Sequence, residues 1–262
     1  MSDGVAVVTG ASRGIGKAIA LELARAGFDI VVAARTVERR RVAPGTIYET
    51  VAEVETVGRR AAAVQADLTR REDLGRLVEE ALAAFGRVDV LVNNAAHTGT
   101  EIMAPFFEMS EGAWDRQVAV NLTAPVLLTQ GFGRYMREQG GGLIVNLTSG
   151  AARMEYEGPP AGSGDGATGV GYPTTKLALD RFAVAVAPEL RPSGIAVVNV
   201  DPGATLTEII ELSAARNPTV AASAHPMAVP ARAVMRLATF DDPMRFSGRI
   251  VSAVDVLAEL GA

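Results

Sequence analysis

Short apolar runs alternate along most of the chain with stretches in which apolar residues recur at helical spacing. The runs are rich in valine and isoleucine and lack strict alternation, as expected of strands buried on both faces. They lie at Val5–Val8, Ile30–Ala34, Ala61–Val64, Val90–Val92, Leu143–Leu147, Ile195–Val200 and Arg249–Ala253. The helical stretches are Ile15–Ala26, Ile47–Val57, Arg71–Phe85, Glu111–Gln139 and Tyr172–Leu190. This order predicts an α/β fold, a doubly wound parallel sheet of about seven strands with helices on both faces.

Composition narrows the class of protein. With 262 residues and 48% apolar side chains, residues 1–262 are expected to form one globular domain. A net charge of −5 argues against non-specific nucleic-acid binding, which requires a basic surface. The chain has no cysteine and two histidines, so neither a thiolate site nor another metal centre is expected.

The same features predict a compartment. The first predicted strand begins at Val5, which leaves no room for a cleaved signal peptide. No apolar run approaches the roughly 18 residues needed to cross a bilayer. The absence of cysteine fits a reducing environment. We therefore expect a cytoplasmic protein without a membrane partner.

Two segments carry no periodic pattern. Residues 153–171 form a predicted loop, since glycine and proline crowd positions 158–169 too densely for a helix or strand. This loop is either a flap over the substrate or a tolerated surface insertion. Residues 207–230 are expected to form a substrate lid.

A glycine-rich turn follows the first predicted strand. It reads Thr9-Gly10-Ala11-Ser12-Arg13-Gly14-Ile15-Gly16 and leads into a helix. A strand, a glycine turn and a helix N-terminus together direct backbone N–H groups at a phosphate. The glycines permit a tight turn and close approach of the ligand to the backbone. The alternative interpretation is a strand-to-helix turn without a ligand.

The second predicted strand ends without an acidic residue. In a dinucleotide-binding fold, an acid at this place hydrogen-bonds the adenine ribose of NAD. The chain instead has Arg35 here and Arg13 in the glycine turn, and two guanidinium groups suit a 2′-phosphate. We therefore expect NADP(H) to be favoured over NAD(H). The alternative is that Arg35 is solvated and Arg13 covers the adenine.

Tyr172 and Lys176 lie one turn apart on the last of the predicted helices named above. A nearby ammonium favours a phenolate, so Lys176 is expected to lower the Tyr172 pKa from about 10 towards the working pH. Ser149 follows a buried strand, where its hydroxyl could donate to a substrate carbonyl oxygen. Each residue alone has an ordinary structural explanation.

Asn121 lies inside the helix predicted over Glu111–Gln139. Pro125 comes four residues later and has no N–H with which to bond the Asn121 carbonyl. The sequence therefore predicts a kink with an available carbonyl, able to bind water or a lysine.

Together these residues resemble the single-domain, Rossmann-type short-chain dehydrogenases/reductases. The match covers nearly the whole chain and lies in the order of the family motifs. The matching residues are Thr9-Gly10-x-x-x-Gly14-x-Gly16, Asp67-Leu68, Asn93-Asn94-Ala95-Ala96, Asn121, Ser149, Tyr172-x-x-x-Lys176 and Pro202-Gly203-x-x-x-Thr207.

The resemblance implies an oxidoreductase that transfers a hydride between a nicotinamide and a carbonyl or secondary alcohol. Tyr172 would be the general acid/base, Ser149 would polarise the carbonyl, and Lys176 would hold the nicotinamide ribose. The Asn121 carbonyl would anchor a water that relays protons to Lys176. Family members of this type commonly form tetramers through two long helices, so a homotetramer or dimer is expected.

The implied cofactor-binding residues follow the strand ends; Asp67 would contact adenine, and the segment from Pro202 to Thr207 would hold the nicotinamide carboxamide. They are Gly10, Ser12, Arg13, Gly14, Ile15, Gly16, Arg35, Asp67, Leu68, Asn94, Ala95, Ala96, Tyr172, Lys176, Pro202, Gly203, Thr205 and Thr207. The chain departs from the family pattern at Ala96, where glycine is usual, and in the longer gap between Ser149 and Tyr172. The second departure bears on substrate size and access rather than on the chemistry.

Two other functions compete with this interpretation. A catalytically silent nucleotide-binding protein could keep the fold, although it need not keep Asn121, Ser149, Tyr172 and Lys176. A sugar-nucleotide epimerase or dehydratase shares Tyr-x-x-x-Lys. It usually has a differently spaced glycine turn and a longer C-terminal region than this chain has after Thr207.

Overall fold

The molecule is built around a parallel β-sheet whose strands are joined mainly by crossover helices. The computed structural model describes residues 4–39, 44–98, 104–155, 169–208 and 224–261. Within these ranges, nine strands are β1 (Val5–Thr9), β2 (Asp29–Ala34), β3 (Ala61–Gln65), β4 (Val90–Asn93), β5 (Gly142–Leu147), β6 (Ile195–Asp201), β7 (Thr205–Leu206), β8 (His225–Pro226) and β9 (Ile250–Ser252). The main sheet has the order β3-β2-β1-β4-β5-β6-β9 with every pairing parallel, and β7 pairs with β8. The predicted doubly wound sheet is confirmed.

Helices cover both faces of this sheet. In the described ranges they are α1 (Gly14–Arg25), α2 (Ile47–Thr56), α3 (Arg71–Phe85), α4 (Glu111–Val118), α5 (Ala124–Glu138), α6 (Gly171–Leu190), α7 (Ala228–Thr239) and α8 (Ala253–Leu260). Alternate residues of each strand enter different cores. Val8 packs in one core with Leu23 of α1, whereas Val7 packs in the other with Phe132 of α5. None of these helices is long and apolar enough to cross a membrane.

The helix predicted over Glu111–Gln139 is confirmed in extent, because helical residues run without a gap from Glu111 to Glu138, but it is not one regular α-helix. The structure divides it into α4, a five-residue π-helical turn over Ala119–Thr123, and α5. The N–H of Ala124 donates to the carbonyl of Ala119, which is the i→i+5 pattern of a π-helix. Pro125 follows at once and contributes no N–H, so the ordinary α-helical ladder cannot continue through this turn.

The C-terminal end also differs from the sequence prediction. The expected strand Arg249–Ala253 is the shorter β9, and α7 and α8 were not predicted. Ser252 ends β9 and caps α8, since its Oγ accepts a hydrogen bond of 3.0 Å from the N–H of Asp255. Of the two patternless segments, 156–168 in the loop and 209–223 in the lid lie outside the described residues.

Candidate active site

The carboxyl ends of the parallel strands meet along one edge of the sheet, and the predicted site residues lie there. The strand order reverses between the neighbouring strands β1 and β4, because β2 and β3 lie on one side of this pair and β5 and β6 lie on the other. Doubly wound sheets bind their ligands at such a reversal. Gly10, Ser12, Arg13, Gly14, Ile15 and Gly16 follow β1; Arg35 follows β2; Asp67 and Leu68 follow β3; Asn94, Ala95 and Ala96 follow β4; Ser149 follows β5; and Pro202, Gly203, Thr205 and Thr207 lie at or beyond the end of β6. Asn121 lies in the π-helical turn, and Tyr172 and Lys176 lie in the first two turns of α6.

The glycine turn packs too closely for side chains. Gly10 has a φ of +68°, a conformation that strongly favours glycine. A Cβ on Gly16 would lie 2.3 Å from Nδ2 of Asn94 and 2.5 Å from the carbonyl oxygen of Gly10. The same Asn94 Nδ2 donates to the carbonyl of Thr9 at 2.8 Å, and the N–H of Ala95 donates to Thr9 Oγ1 at 3.1 Å. The segment after β4 therefore holds the turn after β1 in place.

The N-terminus of α1 is built to accept an anion. The side chain of its N-cap residue, Arg13, makes no capping hydrogen bond, and its first turn contains no acidic residue. The N–H of Gly14 donates to Oε1 of Glu208 at 3.3 Å, so a carboxylate already lies at this end of the helix. A phosphate group has the same charge preference, and these residues fit the diphosphate of a dinucleotide. The sequence did not single out Glu208, because its contact with Gly14 spans 194 positions.

The two arginines predicted to select the nucleotide lie on loops that follow neighbouring strands, β1 and β2. Arg35 is exposed, and Arg13 is the N-cap residue of α1. The start of α2 packs against the glycine turn, because a Cβ on Gly45 would lie 2.4 Å from the carbonyl oxygen of Ser12. Thr50 Oγ1 donates to the carbonyl of Ala11 at 2.9 Å.

Asp67, the residue expected to contact adenine, stabilises its own turn. Its Oδ1 accepts hydrogen bonds from the N–H of Thr69 at 3.0 Å and from Thr69 Oγ1 at 2.8 Å. Its own N–H donates to Oδ2 of Asp73 at 2.8 Å. Leu68 beside it is buried. This pattern fixes the loop after β3 at the nucleotide edge.

Tyr172 and Ser149 meet although they come from different elements. The Ser149 hydroxyl lies close enough to the Tyr172 phenol to lower its pKa, so the first turn of α6 approaches the end of β5. Ser149 Oγ also accepts from the N–H of Ala151 at 3.3 Å and thereby caps the 3₁₀ turn Gly150–Arg153. The phenol and the hydroxyl are thus close enough to address one substrate oxygen.

The predicted lowering of the Tyr172 pKa is wrong for this structure. Burial of the phenol raises its pKa above 10, and the carboxylate of Asp201 adds to the rise, while the neighbouring Ser149 hydroxyl opposes it. Lys176 does not reverse the direction, because its Nζ lies 5.7 Å from the centroid of the tyrosine ring and donates to the carbonyl of Leu147 at 2.6 Å.

Lys176 is itself strongly perturbed. Its side chain is buried, and burial lowers its pKa from 10.5 to about 8, while Asp180 and Asp201 act in the opposite direction. A buried lysine whose charge changes near neutral pH is unusual and typical of a catalytic site.

Asn121 lies close to Tyr172 through two hydrogen bonds. Its Nδ2 donates to Thr175 Oγ1 at 3.1 Å, and Thr175 Oγ1 donates to the carbonyl of Tyr172 at 2.9 Å. Its Oδ1 accepts from the N–H of His97 at 2.8 Å. The side chain of Asn121 therefore ties the loop after β4 to the first turn of α6, a contact of His97 that the sequence did not reveal.

Three asparagines form a buried ladder across β4, β5 and β6. Asn93 Nδ2 donates to Asn146 Oδ1, and Asn146 Nδ2 donates to Asn199 Oδ1, each at 2.9 Å. Asn199 Nδ2 then donates to Oδ1 of Asp180 at 2.7 Å. The three asparagines are direct neighbours in the parallel register. The sequence analysis missed this ladder, although an asparagine within or directly after each of three apolar runs was a signal for it.

The segment after β6 turns back towards the site. Asp201 Oδ1 accepts from the N–H of Gly203 at 3.0 Å, and Thr205 Oγ1 donates to the carbonyl of Pro202 at 3.2 Å. Thr205 is the register partner of His225 in the small β7–β8 sheet. This pairing brings the two ends of the expected lid together.

Comparison with known proteins agrees with this geometry. Residues 4–217 match the family model described as short chain dehydrogenase. The short-chain reductase protein NovJ of Streptomyces niveus is 35% identical over 214 residues, which cover 82% of this chain and 74% of that protein.

Two solved structures carry bound nucleotides. A metagenomic short-chain oxidoreductase in complex with NADP is 33% identical, with a TM-score of 0.74 over 92% of this chain and 93% of that one. A 7α-hydroxysteroid dehydrogenase complexed with NADH and 7-oxo glycochenodeoxycholic acid is 26% identical, with a TM-score of 0.79 over 95% and 92% of the two chains. The similar structures therefore include complexes with either nucleotide.

Proposed function

The chain belongs to the short-chain dehydrogenase family of NAD(P)-dependent oxidoreductases, and we propose that it transfers a hydride between NADP(H) and a small carbonyl compound or secondary alcohol. The observation that carries this proposal is the placement of the Ser149 hydroxyl beside the Tyr172 phenol, with buried Lys176 one turn along the same helix and donating to the carbonyl of Leu147 at 2.6 Å. A bound nicotinamide would supply or accept the hydride at this edge of the sheet.

In this proposal Tyr172 moves the proton. Its raised pKa keeps the phenol protonated at neutral pH, which is the form required to protonate a carbonyl oxygen during reduction. Ser149 donates to the same oxygen and stabilises the negative charge that develops there. The carbonyl of Leu147 orients Lys176, which would hold the nicotinamide ribose and take part in proton supply with the main chain of Asn121.

The proposed preference for NADP(H) depends on charge. Arg35 is exposed at the end of β2 and Arg13 begins α1, so both cations lie at the edge where the adenine ribose would bind. The end of β2 lacks the acid that would favour NAD and repel a 2′-phosphate. One guanidinium group can donate two parallel hydrogen bonds to two oxygens of a phosphate, which makes arginine well suited to the extra phosphate of NADP.

We also propose that copies of the chain associate through α5 and α6. Tyr135 on α5 and Leu177 on α6 are 43% and 51% exposed, which is high for large apolar side chains. Light scattering coupled to size exclusion would give the mass of the assembly. Leu177→Glu should shift that mass towards the monomer, whereas an unchanged mass would place the contact elsewhere.

The test of the reaction is a nicotinamide absorbance assay on ketones, aldehydes and secondary alcohols with both nucleotides, followed by Tyr172→Phe. We expect this variant to lose at least about a hundredfold in kcat, because it removes the transferred proton and little else. Its affinity for NADPH should stay within about twofold of the original, measured by fluorescence titration.

The matched control is Tyr135→Phe on α5, which removes a hydroxyl from a half-exposed tyrosine outside the catalytic set and keeps the apolar ring that the proposed assembly would bury. It should leave kcat unchanged. A Tyr172→Phe variant that keeps most of its activity would disprove the assigned acid. Binding of NADPH without turnover of any carbonyl or alcohol in the panel would instead favour a silent nucleotide-binding protein.

A further inference from the structure

Arg153 pairs with two carboxylates that belong to different parts of the chain. It ends the 3₁₀ turn Gly150–Arg153, which follows Ser149. Its Nη1 donates to Oδ2 of Asp180, and its Nη2 donates to Oδ2 of Asp201 at 3.0 Å. One guanidinium group thereby joins the turn after β5, the helix α6 and the end of β6.

Each of these carboxylates is already fixed to its surroundings by its other oxygen. Asp180 Oδ1 accepts from Asn199, the last member of the asparagine ladder, and Asp201 Oδ1 accepts from the N–H of Gly203. Arg153 therefore binds two groups that are themselves held by the sheet and by the Pro202–Gly203 turn. Neither pairing is an isolated surface ion pair, because the side chains of Asp180 and Asp201 are only 2% and 15% exposed.

The three joined segments carry the proposed catalytic groups. Asp180 lies four residues after Lys176 on α6, and Asp201 precedes the turn expected to hold the nicotinamide. The negative charges of Asp180 and Asp201 both act on Lys176, and that of Asp201 also acts on Tyr172. Loss of the guanidinium would leave these two carboxylates without the cation that they share, and would remove the link between their segments.

We propose that Arg153 is a positioning residue that holds the Ser149 turn, the Tyr172–Lys176 helix and the Pro202–Gly203 turn in their mutual geometry. Its side-chain hydrogen bonds go to Asp180 and Asp201 rather than to Tyr172 or Lys176, and it acts through these two carboxylates. This inference rests on the proposed function for its effect on rate, but its structural part is independent of it. Displacements of about 1 Å among catalytic groups can lower a rate about a hundredfold, so the geometry matters.

The test uses Arg153→Ala beside Arg249→Ala. Arg249 is an equally exposed arginine, 40% in both cases, and it makes two hydrogen bonds with Glu259 at 2.7 and 3.2 Å. We expect Arg153→Ala to lower kcat about ten- to a hundredfold, with the dissociation constant for NADPH within about threefold. Arg249→Ala should change neither. Added methylguanidinium should restore part of the kcat of Arg153→Ala, because that side chain is partly open to solvent.

Amide hydrogen exchange supplies a readout that does not need activity. In Arg153→Ala, the amides of the Gly150–Arg153 turn and of Gly203 should exchange faster, while those of α1 should not. If Arg153→Ala does not fold, Arg153→Lys replaces it, since lysine keeps the charge but cannot bridge both carboxylates; the same acceleration and a smaller loss of kcat are expected.

Exchange and kcat equal to those of Arg249→Ala would overturn the proposal. An inactive parent protein with accelerated exchange in the variant would overturn the proposed function and keep the positioning role.

Discussion

The β1–β3 half and the β4–β6 half of the sheet position their parts of the candidate site by different interactions. In the β1–β3 half, the residues at the level of Asn93 are Thr9, Ala33 and Val64, and close glycine contacts pack the turn beyond β1 against its neighbours. In the β4–β6 half, the corresponding level carries the asparagine ladder and leads to Asp180 and Lys176. The nucleotide half is therefore expected to be sensitive to added volume, and the catalytic half to lost hydrogen bonds and to pH.

The largest effect is expected from a methyl group in the nucleotide half. In Gly16→Ala, the new Cβ would lie 2.5 Å from the carbonyl oxygen of Gly10, so the turn and helix must separate by roughly 1 Å to reach ordinary contact. We expect NADPH affinity to fall about a thousandfold, or about 4 kcal/mol, by isothermal titration.

Gly75→Ala is the matched control. Gly75 lies exposed on α3, and a Cβ there would meet nothing within 4 Å. It should bind NADPH normally and gain up to about 1 kcal/mol of stability from helix propensity. Normal binding by Gly16→Ala would show that close packing does not define the nucleotide half.

The second effect concerns the buried ladder. Asn146→Leu keeps the branched shape of the side chain but removes the acceptor of Asn93 and the donor to Asn199. Each polar group left buried without a partner costs about 1–3 kcal/mol, so we expect the free energy of unfolding to fall by about 3 kcal/mol in urea denaturation.

A double-mutant cycle tests whether the ladder acts as a unit. Asn146→Leu combined with Asn199→Leu should cost less than the sum of the two single changes, because both remove the same hydrogen bond. Strict additivity, or an Asn146→Leu protein as stable as the original, would contradict the description of the catalytic half.

The fold was predictable because its determinants are local. Each buried strand is written as a run of valine, isoleucine or alanine, and each crossover helix has its own apolar face. Pro125 indicated an irregularity of the helix near Asn121, but the sequence did not show that it would be a π-helical turn. Whether the ladder breaks or shifts to i→i+5 depends on how α4 and α5 pack, which no local pattern encodes.

The site was predictable only where motifs carry it. The spacing of Tyr172 and Lys176, and the position of Ser149 after a buried strand, identified these three residues. The direction of the shift in the Tyr172 pKa, in contrast, depends on burial that the sequence does not reveal. Arg153 meets Asp180 and Asp201 across 27 and 48 positions, so only the folded chain brings these charges together.

The third prediction uses pH to examine the catalytic half. Folded Lys176 loses its proton near pH 8, whereas an unfolded lysine keeps it to about 10.5, so the unfolded state binds more protons between these values. The contribution of Lys176 to the free energy of unfolding therefore rises with pH across this window. Relative to Lys176→Met, we expect a gain of about 2 kcal/mol between pH 7.5 and 10 from urea denaturation at each pH. A constant difference between the two proteins would mean that Lys176 does not titrate in this range.

The smallest effect is expected from exposed charge in the nucleotide half. Arg35→Ala removes a cation that solvent screens, so NADPH affinity should fall about tenfold, or about 1.4 kcal/mol, while NADH affinity stays nearly constant. Arg39→Ala is the matched control from the same loop, because Arg39 is also exposed but pairs with Glu49 at 3.3 Å and should affect neither nucleotide. Equal losses for NADPH and NADH would assign Arg35 to the adenosine rather than to the 2′-phosphate. Equal losses of NADPH affinity in Arg35→Ala and Arg39→Ala would mean that Arg35 contributes only general positive charge. The nucleotide half would then be defined by its packing alone.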